Sequence, residues 1–115
     1  SFEQKVSSKY QRLAINLQEV DKVKGAVLVA NDGVVLGHSL DDNEFYGAAA
    51  LYFGSAVSQI RELMALSPFR SALISGDGQR TLVMRKKYFY VGVLLEISAD
   101  IERVTAEVES KLTEW

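Results

Sequence analysis

The apolar positions at the two ends of the chain repeat with the period of a helix. Near the N-terminus they are separated by four, three, four and three residues, with the charged side chains mostly elsewhere on the helical wheel. At the other end the period follows Ser98, a good N-cap that places Asp100 and Glu102 in the opening turn. We predict an amphipathic helix at each end, with apolar positions Val6, Tyr10, Leu13, Leu17 and Val20 in the first and Ile101, Val104, Val108 and Leu112 in the last.

The segment after the first helix has the pattern of a β-hairpin. Residues 25–30 (GAVLVA) are a continuous apolar run, and residues 34–40 form a second run after Asn31, Asp32 and Gly33. An Asp-Gly pair favours a type I′ turn, because glycine takes a positive φ without steric cost and aspartate tolerates it better than most residues. We therefore predict two antiparallel strands joined by a type I′ turn.

Three further strands are predicted in the second half of the chain. Residues 69–75 and 80–85 are joined by Gly-Asp-Gly-Gln, which indicates a second hairpin. Residues 88–97 (YFYVGVLLEI) lack polar alternation, which is typical of a central strand that is covered on both faces. The predicted order is α-β-β-α-β-β-β-α. Because short hairpins require antiparallel pairing, we predict an α+β protein with one five-stranded antiparallel sheet.

The stretch between the two hairpins carries no charged side chain over residues 45–60 (FYGAAALYFGSAVSQI). It follows the cap candidates Asp41, Asp42 and Asn43, and Pro68 sets its end near residue 66, so we predict a helix. Apolar residues fall on almost every side of this helix, which therefore needs cover on more than one side. A chain of 115 residues has little material for a second cover, so we expect another polypeptide chain to provide it.

Composition narrows the class of protein. The length fits a single domain over residues 1–115, since no Pro/Gly/Ser-rich linker divides the chain. The net charge of -2 offers no general attraction to nucleic acid or to an anionic membrane. The chain has no cysteine, its N-terminus is too charged for a signal peptide, and its longest charge-free run is shorter than a membrane span. We expect a cytoplasmic protein that neither binds nucleic acid nor inserts into a membrane.

The titratable residues do not form a recognisable catalytic or metal-binding motif. His38 is the single histidine, and a surface position on a strand explains it better than a site shared with Asp41 and Asp42. These aspartates and Glu44 lack the ligand spacing and the glycine of a calcium loop, so helix capping is the better explanation. The sequence contains no Walker loop, nucleophile elbow, zinc motif or dinucleotide fingerprint. We expect no enzyme activity, no metal and no cofactor.

Basic residues are concentrated on the second predicted hairpin. A solvated sheet edge is the first interpretation, and a surface for an acidic protein is the second. The residues are Arg70, Arg80, Arg85, Lys86 and Lys87.

The order of several short segments is more informative than any one of them. The most specific is residues 23–36 (VKGAVLVANDGVVL), followed by the alanine-rich helix and by the runs at 76–78, 82–84 and 91–95. Together these segments, across residues 8–112, resemble the roadblock domain family, which includes the roadblock-type dynein light chains and the bacterial gliding regulator MglB. The resemblance implies that the middle helix covers one face of the sheet and the two terminal helices cover the other. It also implies a dimer formed through the middle helix and the strand that follows it.

Carried over to this chain, the resemblance assigns the dimer contact to the helix at 45–66 and the strand at 69–75. Small residues form a stripe along the helix that would let another backbone approach closely; alternatively, the stripe packs against a helix or loop of the same chain. Aromatic and arginine side chains dominate binding when desolvated, so Tyr46, Tyr52 and Arg61 are candidate contacts to a third protein, or else ordinary rim residues. The predicted dimer contacts are Gly47, Ala50, Leu51, Gly54, Val57, Ser58, Phe69, Ser71 and Leu73.

The resemblance leads to three functional hypotheses. The first is a homodimeric, non-enzymatic regulator or scaffold whose paired middle helices bind a Ras-like small GTPase. The second is a structural adaptor that bridges larger chains, as the dynein-associated relatives do. The third is a small-ligand sensor or enzyme with a pocket between sheet and helix. Nucleotide-dependent binding separates the first from the second, and a bound metabolite would indicate the third.

Overall fold

The structure is a computed structural model that describes residues 2–41, 58–62, 65, 71–76 and 78–114. These residues contain five strands and three helical regions. The strands form one antiparallel sheet in the order β2-β1-β5-β4-β3, which confirms the predicted α+β class. In chain order the elements with full bounds are α1 (Phe2–Gln18), β1 (Val23–Ala30), β2 (Val35–His38), β3 (Ser71–Gly76), β4 (Gln79–Arg85), β5 (Phe89–Leu95) and α2 (Ile101–Glu114).

The prediction of a doubly covered central strand is confirmed by β5. It lies third in the sheet, between β1 and β4, and all seven of its residues are buried. Successive side chains of a strand point to opposite faces, so burial of the whole run requires cover on both sides of the sheet. Apolar packing on two faces is therefore the main source of stability at the centre of this fold.

The two terminal helices cover one face of the sheet. Apolar side chains of α1 and α2, such as Leu13 and Val108, form one continuous core with alternate residues of β1, β4 and β5. Arg103 of α2 contacts the loop after α1, since its guanidinium donates to Asp21 O at 3.3 Å and lies 3.7 Å from the Asp21 carboxylate. The buried members of this core are Leu13, Ala14, Leu17, Val20, Ala26, Leu28, Leu82, Met84, Phe89, Val91, Val93, Leu95, Ala99, Val104, Val108 and Leu112.

The middle helical region covers the opposite face. Residues 58–62 are helical, and the fully buried side chain of Ile60 packs with Val83 and Tyr90 and against Ile74 of β3. Val83 and Tyr90 alternate with residues of the terminal-helix core, so Ile60 lies on the other side of the sheet. The predicted arrangement of helices is thereby confirmed for these residues. Other parts of the predicted helix, including the cap candidates Asp42 and Asn43, lie outside the described residues.

The predicted type I′ turn in the first hairpin is wrong. Of the described residues of this turn, Gly33 alone has a positive φ, +94°, and Asp32 does not share it. Gly33 N donates to Ala30 O at 2.9 Å, and Ala30 N donates to Val34 O at 2.8 Å. These bonds define a three-residue loop with glycine at the left-handed position. The Asp32 carboxylate accepts from Val34 N at 3.1 Å, which stabilises this longer loop.

The predicted N-cap of the last helix is also wrong. Asp100, not Ser98, precedes the first helical residue, and its carboxylate accepts a hydrogen bond from Arg103 N at 3.3 Å. The bond from Val104 N to Asp100 O, 3.0 Å long, closes the first turn. Both residue types are good caps, so local preference does not choose between them. Residues 96–99 form a turn instead, in which Ala99 N donates to Glu96 O and Ala99 is buried. Ser98 lies within this turn, so the helix begins after Asp100.

The interpretation of the basic hairpin as a sheet edge is wrong for its second strand. β4 pairs with β3 on one side and with β5 on the other, so Arg80 and Arg85 lie on an interior strand. Arg80 donates to Ile97 O at 2.8 Å, and Lys87 lies over the ring of Tyr88 in the tight turn after β4. Arg70 lies outside the described residues. The edge strand on this side of the sheet is β3.

Candidate protein-interaction surface

Four of the twelve predicted contact residues lie in the described part of the chain. Ser58, Ser71 and Leu73 of the predicted dimer contact are exposed, and so is Arg61 of the predicted partner contact. The residues that lie outside it are Tyr46, Gly47, Ala50, Leu51, Tyr52, Gly54, Val57 and Phe69.

The first component of the surface is the outer side of β3. Gly76 pairs with Gln79 across a two-residue connection, which makes this the hydrogen-bonded closing pair of the hairpin. Hydrogen-bonded and non-hydrogen-bonded pairs alternate along an antiparallel ladder, so the N–H and C=O of Ser71, Leu73 and Ser75 point away from β4. The described strands place no neighbour on that side. β3 therefore presents backbone groups that match those of another strand.

Leu73 adds an apolar side chain to this edge. It pairs with Leu82, so it lies on the terminal-helix face, yet 42% of its surface is exposed. Ala72 and Ile74 point to the opposite face, and Ile74 reaches the cluster of Ile60. Leu73 thus adds apolar surface to the open strand, next to its unpaired backbone groups.

The second component is the outer side of the helical residues 58–62. Ile60 points inward and is fully buried, whereas Ser58 and Glu62, on the other side of the helix, are exposed. Because Ile60 packs near Ile74 of β3, this helical region and the open strand are neighbours on the molecule. Ser58, the last member of the predicted stripe of small residues, thus faces outward next to the open edge.

Arg61 connects this helical region to the first hairpin. Its guanidinium donates to the backbone O of Asn31, thirty residues away, and its side chain is exposed. The hydrogen bond holds the turn between β1 and β2 beside the middle helical region. The turn presents Val34, which is 57% exposed, next to this link. The sequence predicts Arg61 as a candidate contact residue but gives no signal for its attachment to the turn.

Two observations on the described residues bear on metal and small-molecule binding. They contain no group of three His, Cys, Asp or Glu side chains placed to hold a metal. A cleft of about 100 Å³ is lined by Met84, Arg85, Lys86, Glu109 and Thr113, well below the roughly 300 Å³ at which ligand pockets begin. The Nδ1 atom of His38 lies 2.9 Å from Leu40 O, a local contact with the segment that follows β2. No described helix has the length and apolar character needed to cross a membrane.

Comparisons with known proteins identify the family to which the chain belongs. The family model of the Roadblock/LC7 domain matches residues 9–95. An uncharacterized protein of Methanocaldococcus jannaschii is 34% identical over 83 residues, which are 69% of this chain and 70% of that protein.

Solved structures agree at the level of the fold. The Roadblock/LC7 domain of Streptomyces avermitilis has a TM-score of 0.65 and 22% identity, covering 90% of this chain and 92% of its own. The gliding protein MglB of Thermus thermophilus has a TM-score of 0.64 and 13% identity, covering 96% and 86%. A further MglB structure, with a TM-score of 0.65 and 13% identity over 96% and 85%, is of a tetrameric arrangement. With its sheet order, its middle helical region opposite the terminal helices and its match over residues 9–95, the chain belongs to the Roadblock/LC7 domain family.

Proposed function

We propose that this protein is a homodimeric, non-enzymatic regulator or scaffold that acts in the cytoplasm on a Ras-like small GTPase. Membership of the roadblock family supports a role as regulator or adaptor. The observation that carries the proposal is the adjacency of the open strand β3 and the exposed side of the helical residues 58–62. One protomer presents both surfaces together, so a second copy can cover both at once.

The proposed dimer is symmetric. Two copies of β3 pair antiparallel about a two-fold axis, so each strand uses the same outward backbone groups at Ser71, Leu73 and Ser75. The two five-stranded sheets then become continuous, and the two middle helices meet beside the junction. The charge-free run at residues 45–60 supports this arrangement, because such a helix needs apolar cover on a second side. The tetrameric arrangement of one MglB structure shows self-assembly in that protein and is consistent with it here.

The paired helices form the proposed platform for the GTPase. Tyr46, Tyr52 and Arg61 are the contact candidates. The hydrogen bond from Arg61 to Asn31 O supports including the first hairpin turn in the proposed platform. Chemistry on GTP belongs to the partner. The dimer acts by preferring one conformation of the partner's switch segments, which requires different affinities for the two nucleotide states.

Capture of partners in two nucleotide states tests the GTPase proposal. The immobilised protein is incubated with lysate of its source cell that contains either GDP or a non-hydrolysable GTP analogue. The proposal expects a small GTPase enriched in one state only. Equal capture of a partner in both states supports the structural adaptor instead. Stimulated hydrolysis by the captured GTPase that Arg61→Ala abolishes while binding persists would contradict the non-enzymatic role.

A separate experiment tests the dimer contact. Gly54→Arg introduces a bulky charge into the predicted stripe and should yield monomers in multi-angle light scattering, with an unchanged circular dichroism spectrum. Glu102→Arg is the matched control, because Glu102 is exposed on α2, on the other face of the sheet. A Gly54→Arg protein that remains dimeric would place the contact elsewhere.

A further inference from the structure

The two edge strands of the sheet differ in what contacts their outer backbone groups. The edge opposite β3 is β2, a strand of four residues that follows the first hairpin turn. The side chain of Gln11, from α1, lies on this strand and bonds both backbone groups of one residue. Its Nε2 donates to His38 O at 2.5 Å, and its Oε1 accepts from His38 N at 3.0 Å. The Gln11 carboxamide thus supplies the donor and the acceptor that the N–H and C=O of one residue on an antiparallel neighbouring strand would supply.

The bonded groups of His38 are the ones that point out of the sheet. Ser39 N donates to Ala26 O at 3.0 Å, which makes this a hydrogen-bonded position of the ladder between β1 and β2. His38 pairs with Val27, the next position along, so its own N–H and C=O point away from β1. Gln11 therefore occupies backbone groups that an added strand would need.

Close packing of α1 on β2 holds Gln11 in this position. A Cβ on Gly37 would lie 2.7 Å from the carbonyl carbon and oxygen of Tyr10 and 2.8 Å from Gln11 N. The helix backbone thus approaches the strand more closely than any side chain allows. A Tyr10 ring packed edge-on against Phe89, with centroids 5.3 Å apart, anchors the same turn of the helix. The contact with Gly37 and the ring contact of Tyr10 together fix the turn of α1 that carries Gln11.

We propose that Gln11 is an edge-blocking residue that prevents a second copy of this chain from pairing with β2. The inference rests on the proposed dimer, in which β3 is the strand that pairs. A sheet open at both edges assembles without limit through alternating β3–β3 and β2–β2 contacts, whereas a sheet open at one edge closes after two copies. Gln11 therefore sets the size of the assembly. The alternative, that Gln11 only ties α1 to the sheet, predicts lower stability on its removal but the same number of copies.

Sedimentation equilibrium of Gln11→Ala over a range of concentrations tests the inference. We expect a weight-average mass that rises steadily with concentration and roughly doubles that of the wild-type assembly at the highest one, with a native circular dichroism spectrum. Gln18→Ala is the matched control. It removes a glutamine of the same helix that also bonds a backbone carbonyl, that of Lys24 at 3.2 Å, but on the interior strand β1. The control should keep the wild-type mass.

Two outcomes would overturn the inference. One is a folded Gln11→Ala protein with the wild-type mass at every concentration, and the other is an equal rise in mass for Gln18→Ala. If Gln11→Ala does not fold, Gln11→Met takes its place, because methionine keeps the length and helix preference of glutamine and lacks both hydrogen bonds.

A substitution in β3 tests the proposed dimer independently of the edge-blocking role of Gln11. Leu73→Pro removes the outward N–H of β3, which an edge strand tolerates, and should yield monomers. Adding Gln11→Ala to it should restore association, now through β2. If Leu73→Pro keeps the wild-type mass, the β3 dimer is wrong, whatever Gln11 does. If Leu73→Pro is monomeric and the double variant is monomeric too, the dimer stands and the edge-blocking role fails.

Discussion

The substitution Gly37→Ala tests how closely α1 packs on the sheet. Among the described glycines, positive φ values occur at Gly33 and Gly78, so alanine can adopt the backbone conformation of Gly37. The cost is therefore steric. The added methyl group would lie 2.7 Å from backbone atoms of Tyr10, about 1 Å inside the ordinary contact distance between carbon atoms. Backbone atoms cannot rotate away as a side chain does, so the helix has to shift.

The contacts around Gly37 set the expected loss of stability in Gly37→Ala. Overpacking of this kind costs about 1–3 kcal/mol, and a shift of α1 disturbs the fully buried contacts of Ala14 and Leu17. The same shift weakens the hydrogen bonds between Gln11 and His38, which contribute about 1 kcal/mol. We therefore expect Gly37→Ala to lower the free energy of unfolding by about 2–4 kcal/mol, a large part of the total for a domain of this size.

Urea unfolding followed by circular dichroism measures this difference. Protein concentration is kept equal in all samples, because self-association raises apparent stability. Gly33→Ala is the control: a Cβ there meets no atom within 4 Å, but its φ of +94° strains alanine by about 1 kcal/mol. Gly37→Ala should be the less stable of the two. A Gly37→Ala protein within 0.5 kcal/mol (roughly the error of such fits) of wild type would refute the close packing of α1 on β2.

Two further predictions concern local geometry. Lys22 has a φ of 73°, and its ion pair with Glu96 is 4.0 Å long and partly exposed, so Lys22→Gly should be about 1 kcal/mol more stable than Lys22→Ala in chemical denaturation. Equal stability of the two variants would show that the left-handed backbone is not strained. Asp100→Ala should lower the free energy of unfolding by about 1 kcal/mol through loss of the N-cap, whereas Ser98→Ala should leave it unchanged. If thermal melts show Ser98→Ala to be the less stable of the two variants, Ser98 is the N-cap.

The sequence predicts the architecture well because the apolar pattern reports burial directly. The run at 88–97 indicated a doubly covered strand, and β5 is buried throughout. The local details were harder, since each depended on a competition between similar residues. Asp32 and Gly33 fit two hairpin loops, and Ser98 and Asp100 are both good caps. The interior position of Arg80 and Arg85 depends on the strand order, which no local pattern reveals.

The candidate surface was predicted partly from a period and partly from the family resemblance. The stripe of small residues gave Ser58 and the resemblance gave Leu73, and both residues are exposed. The role of Gln11 rests on contacts with a strand 27 residues away, and that of Arg61 on a turn 30 residues away, so neither is visible in a short window. Gly37 did leave a signal, because a glycine within a strand often marks the close approach of another backbone.

The mass of the wild-type protein in solution is the direct test of the proposed dimer. Residues 45–60 lack charge, and β3 has an open side among the described strands, so we expect a second copy to cover both. Sedimentation equilibrium over a range of concentrations should give a mass of twice the 12.7 kDa of the chain, with no larger species at the highest concentration. A folded protein with a mass of 12.7 kDa at every concentration would contradict the proposed dimer.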